Sequence, residues 1–169
     1  MKILRYPDPL LLQPSIDVTE EYMPDVLATV PAMTRLMRER KGAALAAVQV
    51  GILRRYCLLE MHTTTAPKET IAPVLIINPK ILLEVGRRTR EFEGCLSLPL
   101  FWERMERSDE ILLQYWDRDF IERTVSLEGI QARAIAHEIE HFSGTLQLDK
   151  LSVMAKAMYL KKLKKHIRA

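Results

Sequence analysis

The stretch Ala136-His137-Glu138-Ile139-Glu140-His141 decides how this chain is read. His137 and His141 stand a little over one helical turn apart, so on a helix both imidazoles project from one face and can grip a single cation. Glu138 lies about 100° round the helix from His137, where it can take a proton from water at that cation without ligating the ion. The flanks predict a helix between Ser126 and Gly144, with Ser126 as N-cap, Glu128 in the first turn and Gly144 as a left-handed stop. The alternative is a helix with two solvent-facing histidines among acidic neighbours. A third ligand decides between the two, because a catalytic zinc-type site takes three protein ligands and leaves one position open.

Length and composition bound the search. At 169 residues and 48% hydrophobic, the chain has the size of one compact domain, 1–169, with room for a real core. A charged fraction of 28% and a net charge of +3 argue against bulk nucleic-acid binding. No stretch approaches the ~18 apolar residues of a membrane span, and the run from Met1 to Pro7 is too short for a signal peptide, so no membrane and a cytoplasmic location are expected. Cys57 and Cys95 are too few for a disulfide framework and are expected as thiols.

Around the motif the elements predict an α+β fold. Mixed or antiparallel small sheets pack around the central helix, flanked by an N-terminal and a C-terminal helix. Pro7, Pro9 and Pro14 make residues 1–18 an extended arm over the core. A helix follows from Thr19 to about Arg40, with Val26, Val30, Met33 and Met37 at helical spacing and a kink or break expected at Pro31. Gly42 to Gly51 is a run of small and apolar residues around one polar side chain, Gln49, which must find partners if buried. Strands are expected at Arg55–Glu60, Val74–Asn78, Arg90–Pro99, Glu110–Trp116 and Ile121–Leu127, a surface loop at His62–Pro73, and a turn at Asp117-Arg118-Asp119. Alternation within Arg90–Pro99 puts Glu91, Glu93 and Cys95 on one face. Leu146 to Leu151 reads as a short apolar crossing. Residues 150–169 carry seven Lys or Arg and no acid, with Leu151, Met154, Met158, Leu163 and Ile167 at roughly helical intervals, a basic amphipathic helix.

The third ligand does not follow the zincin protease pattern. No glutamate stands beyond His141, and Gln147 occupies the position where a histidine would complete the site. Asp149 and His166 are weaker downstream choices. Cys95, beside Gly94 at a strand end, offers a thiolate to a borderline or soft divalent ion and is the stronger candidate.

Three segments in this order resemble the signatures of the peptide deformylases: Gly42 to Gln49, Glu93-Gly94-Cys95-Leu96-Ser97, and His137 to His141. The resemblance extends over nearly the whole chain, including Asn78-Pro79 and Asp149, Leu151 and Ser152. It implies removal of an N-formyl group from peptides or nascent proteins, giving formate and a free amine. It further implies that Cys95, His137 and His141 hold one divalent ion, Fe²⁺ in the cell with Zn²⁺, Ni²⁺ or Co²⁺ as substitutes. Glu138 would be general acid and base, with Gln49 and the backbone N–H of Leu96 stabilising the oxyanion. The substrate pocket would fall to Ala43, Ala44, Glu91, Glu93, Ile130, Arg133 and Ala134.

Several positions depart from the family pattern. The small-residue signature commonly reads GxGLAAxQ, and here Ala44 stands for its second glycine; Ala136 replaces a frequent glutamine, and Ile139-Glu140 an apolar residue plus Asp. Arg133 and Glu91 fall where the family forms an apolar pocket for the first side chain, typically methionine. Two unpaired charges there would cost several kcal/mol, so they are expected to pair with each other and to polarise or narrow the pocket. Competing expectations are a deformylase-like protein with altered specificity, or one that binds metal without turnover. The basic tail is expected to contact ribosomal RNA through phosphates.

Overall fold

The computed structural model describes residues 1–61 and 72–168; most of the expected loop at His62–Pro73 lies outside them. Among these residues five strands form one antiparallel sheet in sequential order: β1 (Ala44–Ala46), β2 (Tyr56–Leu59), β3 (Val74–Cys95), β4 (Leu98–Trp116) and β5 (Glu122–Glu128). Three α-helices among the described residues accompany it: α1 (Met23–Glu39), α2 (Gly129–Phe142) and α3 (Val153–Arg168).

The sheet is covered on both faces, and β2 shows why. All four of its residues are buried, with Tyr56 and Leu58 packing in the cluster that holds Val26, Met33 and Met37 of α1. Cys57 and Leu59, on the opposite face of the pleat, join Ala132, Ile135 and Phe142 of α2. A third cluster joins the tip of the β3–β4 hairpin (Leu98, Phe101, Met105) to Leu11 of the arm and to Tyr159 and Leu163 of α3. The arm is tied down by backbone donors, Leu4 N to Gln49 O (2.7 Å) and Tyr6 N to Ser97 O (2.9 Å). The side chain of Asn78 both accepts from Val18 N and donates to Val18 O, each at 2.8 Å.

Several local expectations are corrected. Ser126 does not cap α2: it lies in β5 and its hydroxyl donates to Glu110, while Glu128 occupies the N-cap position. At the other end Gly144 has φ +70°, and Thr145 N bonds Glu140 O while Gly144 N bonds His141 O, the paired bonds of a Schellman stop. α1 starts at Met23 after a short 3₁₀ turn and runs unbroken through Pro31. Pro31 and Leu27, whose carbonyl loses its partner, both lie on the exposed face, so water can satisfy the group.

The segments at Val74–Asn78 and Arg90–Pro99 are not separate strands. β3 is continuous across them, absorbing Pro79 at a register shift between Ile77 and Lys80, and Leu96-Ser97 form the turn into β4. The C-terminal helix is present, but Met154 and Met158 are 75% and 69% exposed, so they do not pack it on the body. Tyr159 and Leu163 do, with the Tyr159 ring edge-on to Phe101 and its hydroxyl donating to Pro99 O.

Candidate active site

α2 and the end of β3 build the site between them. The four-residue spacing puts His137 and His141 on the inner face of α2, with ring centroids 4.9 Å apart. The pleat turns Cys95 towards them, and its Sγ lies 3.3 Å from Nε2 of His141. One donor atom from each of Cys95, His137 and His141 comes within 4.8 Å of the others. A thiol with two imidazoles is a donor set for a borderline divalent ion. These residues therefore fit a metal. Asp149 instead accepts from Leu146 N and from Lys156, and His166 is exposed on α3, so the described side chains gather Cys95 rather than either of them.

Glu138 and Gln49 complete the head of the site. Glu138 is buried, with one carboxylate oxygen lacking a hydrogen-bond partner. Burial lifts its pKa to about 7 against the opposing pull of His137. Gln49 is also buried; its carbonyl accepts from Ala46 N at 2.9 Å, which turns its amide towards Ser97 Oγ (3.2 Å) and Cys95 Sγ (3.7 Å). For His141, burial drives the imidazole to its neutral, ligating form. At His137 burial acts in the same sense, but the neighbouring Cys95 and the carboxylate of Glu93 outweigh it and raise the pKa.

A buried charge cluster underlies this arrangement. Arg107 of β4 forms double hydrogen bonds with Glu93 (2.7 and 3.0 Å) and with Glu140 (2.6 and 3.2 Å). Lys150 also binds Glu140, and Gln147 donates to Glu93 at 2.6 Å. Burial would raise the Glu93 pKa, yet His137 and Arg107 hold it down at about 2. Glu93 thus stays ionised beside His137, its oxygen 3.8 Å from Nδ1.

The expected Arg133–Glu91 pair does not form. Arg133 reaches past Glu91 to the carboxylate of Glu93 (3.0 Å) and donates to Thr89 Oγ1 (3.0 Å), taking only the backbone carbonyl of Glu91. Glu93 wins because its side chain is only 10% exposed, whereas the Glu91 carboxylate is exposed to water that already solvates it. Ala43, Ala44, Glu91, Glu93, Ile130, Arg133 and Ala134 nevertheless all line one cavity of about 800 Å³ with Gln49, Cys95, Leu96, His137 and Glu138. Ile130 is exposed at its mouth.

Arg107 is the residue that sequence reasoning missed. Extending the period-two pattern of Ile111 and Leu113 back through Met105 would have placed it on the inner face.

Side chains that fit a metal, beside a buried carboxylate with a raised pKa, define the class, a metal-dependent hydrolase built on an α+β fold. Comparison with known proteins narrows it. The profile of the polypeptide deformylase family matches residues 1–157. The peptide deformylase of Acidobacterium capsulatum is 35% identical over 167 residues, covering 99% of this chain and 95% of that protein. That of Agrobacterium fabrum is 35% identical over 163 residues, covering 96% and 94%. The crystal structure of peptide deformylase from Ehrlichia chaffeensis superposes with a TM-score of 0.87 at 32% identity, covering 100% of this chain and 97% of that one. The same Ehrlichia protein, solved in complex with actinonin, gives 0.85 at 31% identity, covering 100% and 98%. The chain belongs to the peptide deformylase family, metal-dependent hydrolases that remove N-formyl groups from nascent peptides.

Proposed function

We propose that this chain removes the formyl group from the first residue of peptides and nascent proteins with the residues gathered at the head of the cavity. Cys95, His137 and His141 hold one divalent ion, Fe²⁺ in the cell, with Zn²⁺, Ni²⁺ or Co²⁺ as substitutes; thiolate and imidazole donors suit all four. The ion supplies Lewis acidity to the attacking water and to the formyl oxygen. Glu138, with a pKa of about 7, accepts the proton as water adds to the formyl carbon and returns it to the nitrogen as the C–N bond breaks. Formate and a free amine leave. The amide of Gln49 and the N–H of Leu96 donate to the oxyanion, an arrangement that contributes roughly 3 kcal/mol per donor. Glu93 steadies His137 through Nδ1 and leaves its other nitrogen for the ion.

The observation that carries this reading is the convergence of one thiol and two imidazoles within 4.8 Å, beside a buried carboxylate and at the head of a peptide-sized cavity. The test is metal analysis of anaerobically purified protein together with formate release from formyl-methionyl-alanine. The parent should bind one ion per chain and release formate. Cys95→Ala should bind substoichiometric metal and lose activity, and unchanged hydrolysis in that variant would overturn the ligand assignment.

The reading extends to where the enzyme works. We place it in the cytoplasm, at the ribosome, because α3 presents exposed Lys161, Lys162, Lys164 and Lys165 that suit RNA phosphates. Co-sedimentation with ribosomes should fall with rising salt and with neutralisation of these lysines. Identical co-sedimentation of the neutralised variant would remove α3 from the account.

A further inference from the structure

We infer that Phe92 and Trp102 form a subsite for the second side chain of the substrate peptide, selecting an aromatic residue there. The inference rests on the deformylase reading above and adds a specificity that the metal site does not supply. Both rings are large and in water, with Trp102 64% and Phe92 49% exposed, yet they do not lie there singly. They stack with centroids 6.1 Å apart and planes within 3° of parallel, and the guanidinium of Arg104 covers Phe92 at 5.1 Å. The register explains the pairing: Phe92 stands opposite Arg104, so Trp102 is its diagonal neighbour across the hairpin. Gly94 makes room for the indole, since a Cβ at that position would sit 3.1 Å from the Trp102 ring. The indole therefore rests on the strand backbone next to Cys95.

The pleat supplies the second half of the argument. Glu93 and Cys95 face α2, while Phe92 and Gly94 face the other way, and the cavity reaches both sides, touching His137 and Arg133 as well as Phe92, Gly94 and Trp102. An extended peptide sends successive side chains to opposite sides. With its formyl carbon beside Cys95, His137 and Glu138, its first side chain falls against Arg133 and Ala134, and its second falls on the Phe92–Trp102 shelf. The rings are held by each other and by Arg104, so capturing a third ring costs little side-chain ordering.

The test uses the metal-loaded full chain and formyl-methionyl peptides that vary only at the second residue: Ala, Leu, Asp, Phe and Trp. The parent should favour Phe and Trp over Ala by roughly 3- to 10-fold in kcat/KM, with the difference carried mainly by KM. Trp102→Ala should bring that ratio close to one, and Trp102→Tyr should keep most of it, which a merely structural role for Trp102 would not produce. Equal ratios in the parent and Trp102→Ala, or no aromatic preference in the parent, would overturn the subsite while leaving the deformylase reading intact. Absence of formate from every peptide would refute that reading, and the subsite with it.

Discussion

Replacing Arg107 with Met tests the energetics of the charge cluster beneath the site. The guanidinium side chain is only 5% exposed and makes four hydrogen bonds to two carboxylates that are themselves 10% and 18% exposed. Methionine fills much of the same volume but leaves both acids without their shared cation. Removing one partner from a buried ion pair costs about 3–5 kcal/mol, chiefly through the charge left behind. Here the remaining partners soften the loss: Glu93 keeps Arg133 and Gln147, and Glu140 keeps Lys150. The expected destabilisation is therefore near the lower end, ~3 kcal/mol, or about 6–12 °C in Tm for a chain of this size. Urea unfolding followed by circular dichroism, at one fixed metal loading, gives the number. The double variant Arg107→Met/Glu140→Gln should recover part of the loss, because one stranded charge is gone. A loss below ~1 kcal/mol for Arg107→Met, or a double variant less stable than the sum of its single changes, would refute the reasoning.

Three further outcomes follow from individual positions. Gly144→Ala should destabilise by more than the ~1–2 kcal/mol of a left-handed residue, since its Cβ would also meet Leu12 O at 2.5 Å, and thermal melts would show it; a neutral change would contradict the stop described for α2. Arg133→Ile should raise the preference for methionine over polar first residues, read as kcat/KM across formyl peptides, and equal preference in both proteins would rule out a polar first-residue pocket. Burial would raise the pKa of Asp149, but the hydrogen bonds from Lys156 and from Leu146 N outweigh it and hold it below 3.8. Its contribution to stability is thus present above that value and is lost as pH falls through the lowered one, so Asp149→Asn should flatten the acid limb of the stability curve; an unchanged limb would assign the effect elsewhere.

Local spacing made part of the site legible. The interval from His137 to His141 needs only helix geometry, and Cys95 and Gln49 stand out as a strand-end thiol and as a lone polar side chain in a run of small residues. Arg107 was hidden because its partners, Glu93 and Glu140, come from β3 and α2, and no spacing along β4 encodes them. The length of β3 was hidden by Pro79, which ordinarily ends a strand and here sits at a register shift. For α3 the helical period was visible in Met154 and Met158, but its phase was not. Contact with Phe101 and Pro99 selects Tyr159 for the buried face and leaves the methionines in water. The helical spacing of Arg133 from His137 makes it a cavity residue, but its pairing with Glu93 rather than Glu91 depends on burial that alternation alone does not rank.

In the proposed mechanism Glu138 moves the proton without holding the metal. Formate release by Glu138→Gln, loaded with the same metal as the parent and assayed beside it, tests this most directly. One ion per chain is expected in both proteins, with a fall in kcat of about 10²–10⁴-fold in the variant. Activity within a few fold of the parent at equal metal content would contradict it.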